Sequence, residues 1–80
     1  MEKYNLEYQY QLFLKRMALT EATMHEQQKV QLRQTFFGAI GQFLILMQTD
    51  IADLEEDKAV EVFQSLENQV ADYFLKETQN

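Results

Sequence analysis

The sequence predicts an all-α protein: a short N-terminal helix followed by an antiparallel hairpin of two long helices, in an oligomer. Three observations carry this. First, the 80 residues contain no proline and only two glycines, so almost nothing interrupts regular structure. Second, the apolar residues recur at helical spacing, and the commonest residue types are good helix formers. Third, one 80-residue chain makes a small core, and this chain has no cysteine and a single histidine to reinforce it. A second copy is the remaining aid, and residues 1–80 are read as one domain.

The first element spans about residues 4–19. Tyr4, Leu6, Tyr8, Tyr10, Leu12 and Leu14 alternate with polar residues, as a strand would. Leu6, Tyr10, Phe13 and Met17 also make a helical stripe. The rest of the chain offers no partner strand, and an isolated strand leaves its backbone groups unpaired, which favours helix. An extended arm is the alternative for residues 4–14.

Thr23 and Glu26 have the spacing of a capping box, so the second helix should start near Met24. It runs to about Gln48 and carries two adjoining apolar stripes. Val30, Phe37, Ile40, Leu44 and Met47 form one, and Leu32, Phe36, Ala39, Phe43 and Leu46 the other. One neighbour needs only one stripe. The second stripe makes this helix a candidate oligomer seam, with Phe36, Phe37, Gly38, Ile40, Gly41 and Leu44 as interface residues. A helical glycine costs about 1 kcal/mol relative to alanine, so Gly38 and Gly41 imply close approach by another helix or a flat ligand.

The second joint is Gln48 to Asp53, where Asp53 precedes Glu55 and Glu56 at another capping-box spacing. The third helix is expected over about residues 54–77, with the stripe Ala59, Phe63, Leu66, Val70 and Tyr73, and residues 78–80 should fray. No internal repeat is apparent.

Net charge is −6, unevenly placed. Residues 1–35 hold five cations against four carboxylates. Residues 36–80 hold two against nine. The acidic half argues against polymeric nucleic acid, whose phosphates need a basic face. The apolar run Phe36–Met47 is 12 residues, short of the roughly 20 that span a bilayer, and the N-terminus lacks a secretory pattern. The expected location is the cytoplasm, without a membrane partner.

Catalysis has little support. His25 is the sole histidine and Ser65 the sole serine, and no base-and-orienter arrangement is readable. His25-Glu26-Gln27-Gln28-Lys29 lacks the second histidine of a zincin motif, and the acids from Asp50 to Asp57 lack the order of a calcium loop. No catalytic residue, metal site or cofactor is therefore assigned. Binding has more. Tyr8 and Tyr10 offer flat surfaces, and Arg16, Lys29 and Arg33 offer cations, the minimum kit for a small nucleotide.

Leu32-Arg33-Gln34-Thr35-Phe36-Phe37-Gly38, then an apolar run, an acidic joint and Leu66-Glu67-Asn68-Gln69, resembles the helical-hairpin domain of small phage-encoded nucleotide sponges of the anti-CBASS and anti-Thoeris kind. The resemblance covers roughly residues 24–77. It implies a non-enzymatic protein of phage or mobile-element origin. Such an oligomer sequesters a cyclic nucleotide immune signal between protomers, with Arg33 as the basic contact and a first-helix tyrosine stacked on a base. The chain departs from the family pattern at Gln28, where the family carries a lysine. The other reading of the residues is an acidic helical interaction module, a dimeric adaptor or inhibitor of a host protein.

Overall fold

The computed structural model describes residues 2–78, all of whose regular elements are helical. Three α-helices follow one another: α1 (Leu6–Arg16), α2 (Glu26–Thr49) and α3 (Glu56–Thr78). The chain divides into two compact units, Met1–Phe43 and Leu44–Asn80. Of the expected frayed end, Thr78 closes α3, and Gln79 and Asn80 lie outside the described residues.

Residues 4–14 contain no extended arm. Asn5 caps α1 by accepting a hydrogen bond from the Tyr8 amide at 3.1 Å, so the helix starts at Leu6 rather than Tyr4. It also ends earlier than residue 19. The Leu19 amide donates to the Leu14 carbonyl at 2.9 Å and Ala18 to Lys15 at 3.1 Å, a Schellman closure. The closure puts Ala18 at φ 56°, a left-handed conformation that glycine normally takes.

Both expected capping boxes are replaced by another device. A 3-10 turn, Glu21–Thr23, precedes α2, and a second, Ile51–Asp53, precedes α3. The Thr23 hydroxyl donates to the Thr20 carbonyl at 3.1 Å instead of reaching forward. One extended residue follows each turn, Met24 (ψ 146°) and Leu54 (ψ 153°). The helices then start with the carbonyls of His25 and Glu55 as first acceptors. Each long helix therefore begins two residues later than the capping-box spacing implies. The two devices stand thirty residues apart, and Ala22, Glu26, Val30 and Gln34 recur as Ala52, Glu56, Val60 and Gln64. This is a repeat of local structure that the residue pattern alone had not revealed.

In the first unit α1 packs on the first half of α2. Tyr10 is fully buried, its ring edge-on to Phe36 at 5.3 Å, and Phe13 also meets Phe36 at 5.3 Å. Phe37 completes the cluster, 6.3 Å from Tyr10. Leu14, one turn beyond Tyr10, is buried as well. In the second unit Ile51 is buried. No residue of α2 or α3 is buried.

The 24-residue α2 is longer than the 12-residue run counted from sequence. Glu26–Asp53 is long and apolar enough to cross a membrane by length and composition, with 6% of its most apolar window buried. The residues flanking the run, from Glu26 to Thr35 and at Gln48 and Thr49, continue the helix and account for the difference.

Candidate functional site

Arg33 projects from α2 onto the face of α1. Glu7, Tyr10 and Leu14 share that face at spacings of three and four, with Glu7 at its polar end. The guanidinium lies over the Tyr10 ring, its carbon 4.7 Å from the centroid. Its Nη1 donates to Glu7 Oε1 at 2.6 Å and its Nη2 to Glu7 Oε2 at 3.0 Å. On the other side its Nε donates to Glu21 Oε2 at 2.9 Å and Nη2 again to Glu21 Oε1 at 3.0 Å. Two carboxylates thus grip one guanidinium in paired fashion, the geometry in which charge-assisted hydrogen bonds are strongest. The Tyr10 hydroxyl donates to Glu21 Oε2 at 3.3 Å and closes the network.

The electrostatics follow from this arrangement. The Arg33 hydrogen bonds hold Glu7 and Glu21 below the ordinary carboxylate range, with Gln11 assisting at Glu7. Arg33 is raised by the same two partners, Glu7 first. Burial, reinforced by Glu21, raises Tyr10. The site is a neutral aromatic ring, one cation and two anions, and its net charge is −1.

Arg33 and Tyr10 are therefore brought together, but as a clasp between α1, the first joint and α2. All three nitrogens of the Arg33 guanidinium already donate, so a phosphate there would compete with two carboxylates for them. Tyr8 lies outside the clasp and is half exposed. Arg16 is exposed at the end of α1, and among the described residues neither it nor Lys15 forms an ion pair. Lys29 pairs with Glu26 on its own helix at 3.4 Å. His25 is exposed at the start of α2, and the Ser65 hydroxyl accepts from Gln69 at 3.2 Å. Among the described residues no three of His, Asp and Glu cluster to hold a metal.

The expected seam residues divide. Phe36 turns inward onto Tyr10 and Phe13, whereas Phe37 and Leu44 are exposed and Ile40 is half-buried. A Cβ added at Gly38 or Gly41 would meet nothing within 4 Å. Within the described residues of the first unit, nothing takes up the close approach that the glycines permit.

Glu7 and Glu21 were not singled out from sequence. The available signal was Arg33 itself, the one cation between Lys29 and Lys58. Such a cation beside an aromatic stripe calls for carboxylates nearby.

Comparison with known proteins finds no matching family model, no matching curated protein and no matching solved structure.

Proposed function

We propose that the chain is a non-enzymatic helical module that works by assembling with copies of itself. One observation carries the reading: α2 holds the densest apolar run of the chain, yet no residue of α2 or α3 is buried. Phe37, Leu44, Ile45, Val70, Tyr73 and Phe74 are exposed, and apolar patches on this scale favour association. Pairing of the two long helices is part of this reading, as is cover of α2 by protein rather than lipid, in the cytoplasm. Light scattering on the eluting protein tests it. A mass at a multiple of the 9.5 kDa chain is expected, and a 9.5 kDa species at every concentration would refute the proposal.

A second reading is favoured by the exposed rings of Tyr4 and Tyr8 together with Lys15 and Arg16, which form no ion pair among the described residues. In it the assembled protein sequesters a cyclic nucleotide signal on this part of the first unit. Calorimetric titration with cyclic di- and trinucleotides and cyclic ADP-ribose isomers is the test. Heats that vanish in Arg16→Ala support sequestration, and the absence of heat with every ligand removes it.

A further inference from the structure

Beside the aromatic cluster an open groove of about 360 Å³ is walled by Phe13 of α1 and by Leu32, Phe36, Ala39, Ile40 and Phe43 of α2. Thr35 is its one polar side chain, so nothing in it would hold a phosphate or a charged metabolite. It lies wholly within the first unit. From Leu32 to Phe43 it follows α2 for about 16 Å, the length of three helical turns.

The last turns of α3 present a matching surface. Val70, Tyr73 and Phe74 lie at spacings of three and four on one stripe, and they are 58%, 59% and 50% exposed. Glu67 and Glu77 bracket that stripe one turn before and one turn after. On the groove side Arg16 stands one turn beyond Phe13, and Lys29 one turn before Leu32.

We infer that the groove of the first unit seats the Val70–Tyr73–Phe74 stripe of α3 from a second copy of the chain. The inference rests on the self-assembly proposed above and names the surfaces that perform it. Charge selects this pairing. The first unit holds five cations against four carboxylates and the second two against nine, so α3 is repelled by another α3 and drawn to the first unit. An anionic lipid surface would be repelled by the same carboxylates. The mode is a helix laid into an apolar groove, read by residues three and four apart. Each copy carries both this groove and this stripe, so a pair of copies offers two such contacts.

Ala39→Glu spoils the groove and Phe74→Glu spoils the stripe, both at exposed positions outside the Tyr10 cluster. Sedimentation of each variant, with helicity checked by circular dichroism, should show dimer dissociation constants raised at least about tenfold. Mixing the two variants should restore much of the dimer, because the mixed pair keeps one intact groove facing one intact stripe. If the wild type assembles and both variants assemble equally well, the groove is not the seat, and self-assembly stands without it. The same holds if each variant loses assembly and the mixture recovers none. A wild type that stays monomeric, its groove filled from its own chain or left open, overturns this inference and the self-assembly reading together.

Discussion

The two units of this chain use similar residue types to different ends. Residues 1–43 bury Tyr10 and Leu14, order three phenylalanine rings and tie two helices together through Arg33. Residues 44–80 bury Ile51, and α3 leaves Val70, Tyr73 and Phe74 to solvent. A tyrosine sits at 0% exposure in the first and at 59% in the second. Aromatic content alone therefore does not make a core. The first unit pairs its ring with a cation held by two carboxylates, one of which, Glu21, accepts from its hydroxyl. The second has its rings exposed on a helix that carries six carboxylates against two lysines.

Removing each tyrosine sharpens that contrast most. Tyr10→Ala opens a cavity among Phe36, Phe37 and Arg33 and should lower stability by about 3–5 kcal/mol in urea unfolding. Tyr73→Ala should change the unfolding of dilute, dissociated protein by less than about 0.5 kcal/mol. Equal losses would mean that the second ring is as buried as the first.

Arg33→Ala comes next. It strands Glu7 and Glu21 beside a buried ring, so the melting temperature should fall, and by more than in Lys29→Ala. Arg33→Lys should recover only part, because an ammonium lacks the planar fork that meets two carboxylates. The clasp also sets a pH dependence. Glu7 and Glu21 are depressed in the folded state, so their contribution is complete above the ordinary carboxylate value of about 4.3 and is lost as pH falls through the lowered folded values. Denaturant midpoints measured from pH 7 down to strong acid should fall less steeply in the double variant Glu7→Gln, Glu21→Gln. An unchanged acid slope would show that the clasp contributes nothing.

Much of this fold is legible in the residues. The absence of proline, the two glycines and the helical stripes suffice for three helices. The helix starts are less legible, because Thr23 could bond forward to a cap or backward into a 3-10 turn, and local spacing is the same for both. Arg33 is conspicuous as an isolated cation. Its partners are not, since Glu7 is 26 residues away and only the packing of Tyr10 on Phe36 brings it near. The first-helix tyrosines look alike in sequence. Burial separates Tyr10 from Tyr4 and Tyr8, and burial is a property of the packed pair of helices.

Smaller effects test the joints and the glycines of α2. Gly38→Ala should stabilise the dissociated chain by about 1 kcal/mol, since an added Cβ has open space around it. If a second copy approaches there, the same change weakens assembly, and the two readouts move in opposite directions. Ala18→Gly relieves the left-handed closure after α1 and should add about 0.5–1 kcal/mol in thermal unfolding.

The central claim is that the exposed faces of α2 and α3 are completed by another copy. Thermal unfolding followed across a wide range of protein concentration measures this directly, because association linked to folding makes the midpoint rise with concentration. The account predicts a midpoint that climbs steadily as the protein is concentrated. A midpoint independent of concentration would contradict it.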